Sequence, residues 1–187
     1  MGNTVPTGNS QGNKVDLRTH LQDPGLAEFS MVKPLLTVQP RFLKTMLCRH
    51  KDGPVVLKIY VKWRQGVSLE KQARELRRLR ACVTRPSMCN VLPYQRLIES
   101  IPGKKYASAF LIRQYLASNL YDRLSTRPSL KDVEKRWIAY QLLQALDQCH
   151  TGGGGTGGVP IYHGDIKCEN VLLTSWNWVM LSDFAIY

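Results

Sequence analysis

The sequence contains no run of about 18 consecutive apolar residues and no apolar core of signal-peptide length near its start, so nothing in it is expected to span a bilayer or direct secretion. It has no Cys-x-x-Cys pair. The five cysteines, Cys48, Cys82, Cys89, Cys149 and Cys168, are odd in number, which leaves both a zinc site and a disulfide framework unsupported and suits a reducing compartment. Acidic residues are scarce. With 14 Asp and Glu against 26 Lys and Arg, the formal charge of +12 favours an acidic neighbour of some kind, and a solvated basic face accounts for it equally well. The basic residues are not interleaved with a recognised nucleic-acid motif, so no nucleic-acid partner is expected. No internal repeat is visible, and the 187 residues suit one domain preceded by a short tail.

Residues 1 to about 25 are rich in Gly, Asn, Thr and Gln, a composition that buries too little apolar area to offset the entropy of ordering, and they read as a flexible tail. Extended segments are expected at Leu35 to Val38, Phe42 to Cys48 and Val55 to Lys62, with Lys51-Asp52-Gly53-Pro54 as a hairpin turn between the last two. Leu69, Ala73, Leu76, Leu79 and Val83 recur at helical spacing, which predicts an amphipathic helix over 68–83 with Arg74, Arg77, Arg78 and Arg80 facing water. Ala107 to Leu116 reads as a mostly apolar strand. Ser129 is positioned to cap a second helix bearing Ile138, Leu142, Ala145, Leu146 and Cys149 on one face. The glycine-rich stretch from Thr151 to Gly158 reads as a loop, and Val171 to Leu173 and Trp178 to Leu181 as short strands around a Ser-Trp-Asn turn.

The strongest chemical signal is His163-Gly164-Asp165-Ile166-Lys167-Cys168-Glu169-Asn170, followed after that hairpin by Asp183-Phe184-Ala185. Phosphoryl transfer needs a carboxylate to orient the attacking hydroxyl and oxygen ligands to hold magnesium against phosphates, and Asp165, Asn170 and Asp183 are the right types at the right separations. Asp and Asn also gather in turns for purely local reasons, but two such motifs in order, joined by strands, argue against that explanation. Over roughly residues 30 to 187 the chain resembles the protein kinases, which implies an α+β protein-kinase-like fold: a β-rich amino-terminal lobe and hinge over 26–116 and the start of a helical lobe over 117–187. The sequence ends directly after the second motif, so the domain is expected to be incomplete.

The resemblance implies ATP and Mg as cofactors. It assigns Asp165 as the catalytic carboxylate, Lys167 as a cofactor-binding residue, and Asn170 and Asp183 as cofactor-binding residues that also ligate the metal. Lys58 in Val55-Val56-Leu57-Lys58 would grip phosphates, and Val56 would cover the adenine. Glu75 would pair with Lys58, Glu70 being the alternative, and Gln114-Tyr115-Leu116 would form the hinge. Three departures weaken the case for vigorous catalysis. Val38-Gln39-Pro40-Arg41-Phe42 stands where a glycine-rich phosphate loop is usual, Gly164 replaces the arginine that reads a phosphorylated activation loop, and Ala185 replaces the glycine of Asp-Phe-Gly. The glycine run from Gly152 to Gly158 follows a helix end and is no substitute. Weak kinase activity and a nucleotide-binding pseudokinase scaffold both fit.

The phrases Asn119-Leu120-Tyr121-Asp122-Arg123-Leu124, Glu134-Lys135-Arg136-Trp137-Ile138 and Thr174-Ser175-Trp176-Asn177-Trp178 are not general to kinases. With them the chain resembles the kinase-like regulatory subunits of class III phosphatidylinositol 3-kinase complexes. That resemblance implies the lipid kinase catalytic subunit and autophagy and endosomal adaptor subunits as partners. It also implies a role in autophagy and endosomal or vacuolar sorting, and a cytoplasmic protein peripheral on endosome, vacuole, lysosome or autophagosome membranes. Met1-Gly2-Asn3 fits an amino-terminal myristoyl site at Gly2, although Pro6 stands where the acceptor pattern wants Ser or Thr. A single acyl chain binds membranes marginally, and arginines 74, 77, 78 and 80 are candidates for a second contact with an anionic membrane surface.

Overall fold

The computed structural model describes residues 21–35, 43–61, 69–99, 107–152 and 158–185. Strand β1 (Ser30–Pro34), β2 (Leu43–His50), β3 (Gly53–Val61), β4 (Tyr94–Glu99) and β5 (Ala107–Gln114) form one antiparallel sheet in the order β1-β2-β3-β5-β4. The β2–β3 hairpin turns through Lys51 and Asp52, with His50 opposite Gly53, whose φ of 124° is cheap only for glycine. Side chains alternate across a strand, so the β-branched and apolar run of β3 serves two cores. Val55, Leu57 and Ile59 pack with Met46, Cys48, Phe110 and Ile112 on one face. Val56, Lys58 and Tyr60 point to the other, where Tyr60 meets Leu76, Leu79, Tyr94 and Leu111.

That second face is covered by helix α1 (Leu69–Val83), which buries the expected stripe of Ala73, Leu76, Leu79 and Val83. The arginines opposite the stripe do more than face water. Arg77 forms a two-point pair with Glu99 at 2.5 and 2.7 Å, and Arg80 donates to the Gln95 carbonyl at 3.0 Å, so both fasten α1 to β4. Below the sheet lie β6 (Ser118–Asn119), α2 (Leu120–Ser125), α3 (Asp132–His150), β7 (Val171–Leu173) and β8 (Val179–Leu181), the three strands pairing in the order β6-β7-β8. Gln141 of α3 is fully buried and holds the layers together: its Oε1 accepts from Asn90 Nδ2 and the Val179 N–H, and its Nε2 donates to the Asn177 carbonyl.

Several expectations shift. Part of the segment placed in the tail by composition is anchored: Asp23 is buried and caps a 3-10 turn over Pro24–Leu26, and Leu21 rests on the core that holds Leu26, while Gln22, Pro24 and Gly25 are exposed. A strand that the sequence did not mark runs over Ser30–Pro34, while residues 36–38 of the segment expected at Leu35 to Val38, and Phe42, lie outside the described residues. Helix α3 starts at Asp132, not beside Ser129, because the Lys131 N–H is satisfied by the Glu134 carboxylate three residues on at 2.8 Å. Strand β4 and helix α2, capped by Asn119 accepting from the Asp122 N–H at 2.8 Å, were not foreseen.

Candidate functional site

The site forms where the β3 face meets the loops flanking β7 and β8. Lys58, opposite Leu111 in the β3–β5 pairing, is 4 % exposed, and a lysine so enclosed needs a counter-charge. It finds Asp183, with Nζ to Oδ1 at 2.9 Å. Asp183 also receives the Arg113 guanidinium as a fork, Nε to Oδ1 at 3.0 Å and Nη2 to Oδ2 at 3.2 Å, while Arg113 Nη1 donates to the Gln114 carbonyl at 3.1 Å. Burial alone would raise the Asp183 carboxyl, but the Lys58 and Arg113 charges override it and hold the group well below the usual carboxylate range. Its backbone sits at φ 67°, uncommon outside glycine, and the bonds on either side fix that conformation. Ser182 N–H donates to the Asn170 carbonyl at 3.0 Å, and Ala185 N–H to the His163 carbonyl at 2.8 Å.

The structure brings Asp165, Lys167 and Asn170 into contact within one loop. Asp165 accepts from Lys167 Nζ at 2.7 Å and from Asn170 Nδ2 at 3.0 Å, and the Asn170 amide also donates to the Asp165 carbonyl at 2.8 Å. The Lys167 bond, more than any other contact, keeps the Asp165 carboxyl below its ordinary range, so it is held ionised and oriented. Gly164 takes φ 75°, a turn that lets His163 fold inward. His163 is buried, its Nδ1 accepts the Asp165 N–H at 3.2 Å, and its Nε2 therefore donates to the Ser182 carbonyl at 2.7 Å. Phe184 packs on that ring with centroids 4.5 Å apart. One imidazole thus links the Asp165 loop to the segment carrying Asp183.

Val56 is fully buried on the Lys58 side of β3, as expected. Glu75 does not reach Lys58. Asp183 already supplies that counter-charge, and α1 turns Leu76 into the core, which leaves Glu75 half-exposed beside Arg78 at 3.8 Å and on a groove lined by Tyr162 and Ala185. Gly2, the segment 38–42 and Gly153 to Gly157 lie outside the described residues.

Of the two expected magnesium ligands, Asp183 has its oxygens taken up in this arrangement and Asn170 does not. A hard cation takes oxygen ligands, yet both oxygens of Asp183 are engaged by basic side chains, whereas the Asn170 amide is held through its nitrogen, which donates to Asp165 and leaves the amide oxygen uncommitted by these bonds. Arg113 is the site residue that sequence reasoning missed. Its signal was present, a single charge inside Ala-Phe-Leu-Ile-Arg, since an arginine within a buried strand is rarely left without a paired anion.

Residues 42–186 match the protein kinase domain family. Among curated proteins the chain is similar to the serine/threonine-protein kinase VPS15 of Arabidopsis thaliana, 43 % identical over 161 residues that make up 86 % of this chain and 10 % of that one. The probable serine/threonine-protein kinase vps15 of Dictyostelium discoideum is 48 % identical over 148 residues, 79 % of this chain and 7 % of that protein. VPS15 of Saccharomyces cerevisiae is 40 % identical over 172 residues, 88 % of this chain and 11 % of that protein. The chain therefore spans about a tenth of the length of these relatives. Among solved structures, a MAP kinase from Leishmania major superposes with a TM-score of 0.68 at 17 % identity, covering 92 % of this chain and 50 % of that one, a likeness of fold alone.

Proposed function

The chain belongs to the protein kinase domain family and is similar within it to the VPS15 kinases, and from that premise we propose that it serves as the kinase-like regulatory subunit of a class III phosphatidylinositol 3-kinase complex. In this reading the domain takes up ATP and presents a surface to the lipid kinase, and transfers little or no phosphate itself. The observation that carries it is the Lys58–Asp183–Arg113 cluster, with Glu75 turned away. Two buried cations offer an anionic phosphate group a favourable field, while the carboxylate that would organise the reacting phosphate is already neutralised.

A second reading, a serine/threonine kinase of low activity, is favoured by the intact Asp165–Lys167–Asn170 arrangement, which leaves a carboxylate held ionised where a hydroxyl would dock. General-base assistance of that kind contributes about 10²–10⁴ in rate. Phosphate transfer by the full-length protein, measured beside an Asp165→Ala control, separates the two. The regulatory reading expects no transfer above the control, and a rate about a hundredfold above it would establish the second.

Work in autophagy and endosomal sorting, peripheral attachment to endosomal, vacuolar or autophagosomal membranes, and partnership with the lipid kinase and its adaptor subunits belong to the same proposal, as does myristoylation at Gly2. Because Arg77 and Arg80 are committed to β4 and Arg78 to Glu75 and the Pro160 carbonyl, an anionic membrane would be met by Arg74 of that helix. Mass spectrometry of the mature amino terminus is expected to show an acylated Gly2, and an unmodified Gly2 or Met1 would remove the lipid anchor from the account.

A further inference from the structure

We infer that Arg113 is an internal counter-cation for Asp183, occupying the place a divalent metal would take, and that this makes nucleoside triphosphate binding at the site independent of magnesium. The inference rests on the nucleotide-binding reading above.

The geometry is specific. Arg113 lies one residue before the expected hinge at the end of β5, opposite Val56 of β3, and its side chain is only 7 % exposed. Three of its donors are spent: Nε and Nη2 on the two oxygens of Asp183, and Nη1 on the Gln114 carbonyl. A planar guanidinium fork on a carboxylate is the strongest orienting contact such a group makes, and a lysine could not reproduce it. Lys58 completes the neutralisation from the other side at 2.9 Å.

Charge around Asp183 is then settled without a metal. Lys58, Arg113 and Asp183 sum to one positive charge. The other acidic group nearby, Asp165, is paired with Lys167, and Glu75 is directed at Arg78. Tyr60 and Tyr94, whose pKa values burial raises and the Asp183 charge raises further, stay protonated and add no anion. A metal ion entering here would have to displace a buried guanidinium from a carboxylate and leave that cation unpaired, which is costly in a dry environment. A polyphosphate entering without a metal meets a net positive site.

The test is equilibrium binding of a fluorescent ATP analogue to the natural full-length protein, in EDTA and in excess magnesium, for the wild type, Arg113→Met and Arg113→Lys. Thermal melts confirm that each variant is folded. The wild-type dissociation constant should differ by less than about threefold between the two conditions, and Arg113→Met should bind about tenfold or more tightly with magnesium than without it, the scale of a moderate coupling between two ligands. Arg113→Lys, which keeps the charge and loses the fork, should fall between them. A wild type that requires magnesium overturns the inference while leaving nucleotide binding intact, and does so even if Arg113→Met fails to fold. Equal magnesium dependence in all three proteins overturns it as well. Absence of binding in every condition removes the nucleotide reading and this inference together.

Discussion

Asp183 is one anion serving two buried cations, so the consequences of removing each partner differ. Asp183→Ala leaves Lys58 and Arg113 facing one another without an anion, a loss of the kind that costs about 3–5 kcal/mol. Arg113→Met keeps the Lys58–Asp183 bond and replaces the guanidinium with apolar bulk, and should cost clearly less. Urea unfolding of both variants checks the order, and Arg113→Met being the more damaging would contradict the assigned geometry. His163 gives the site a pH dependence. Burial lowers its pKa, against the bond to Ser182 and the nearby carboxylates, so the folded protein binds the proton less readily than the unfolded chain. The stability it contributes is complete above the ordinary histidine value of about 6.5 and declines as pH falls below it. Melting temperature should therefore drop from pH 7 toward pH 5, and the drop should be shallower in His163→Gln. An identical slope in the variant would mean that other groups govern that range.

Helix α1 is where element and site part company. Its periodicity was legible because Leu76 and Leu79 had to be buried and the arginines did not, and the structure keeps that stripe over Leu69–Val83. The partner of Lys58 was not legible, since Glu75 stands at the margin of the stripe, and one step of helix rotation decides whether it meets the lysine or the groove. Glu75→Gln is accordingly expected to leave stability within about 0.5 kcal/mol of wild type, as for surface changes away from special features, and to leave ATP affinity unchanged. A large loss of affinity would show that α1 swings inward when nucleotide binds. Strand β4 escaped notice for a related reason. Tyr94-Gln95-Arg96-Leu97-Ile98-Glu99 is an edge strand with Tyr94 fully buried and its middle half wet, so neither a clean alternation nor an apolar run marks it. Arg113, by contrast, was visible as a charge in an apolar strand, but only the fold reveals that the segment carrying Asp183 comes back to meet it.

At the scale of the molecule, the two motifs that fixed the protein kinase fold, Asp165 to Asn170 and Asp183 to Ala185, are joined through His163 and brought beneath Lys58, so the ordering of motifs along the chain did carry the site's assembly. What the ordering could not carry was the state of the site, because that depends on contacts between residues far apart in sequence: Arg113 with Asp183, and Arg77 with Glu99. The lower layer also leaves apolar surface outward. Val133, Tyr140 and Leu143 of α3 and Trp176 are each more than half exposed.

The central claim is that this kinase fold retains a nucleotide site built on buried cations rather than on a metal-organised carboxylate. It is tested most directly by measuring labelled ATP binding to the full-length protein and to its Lys58→Met variant. The account predicts saturable binding by the wild type and affinity weakened about tenfold or more in the variant, the loss of one charge-assisted phosphate contact. A wild type that takes up no ATP, or a Lys58→Met protein that binds it equally well, would contradict the account.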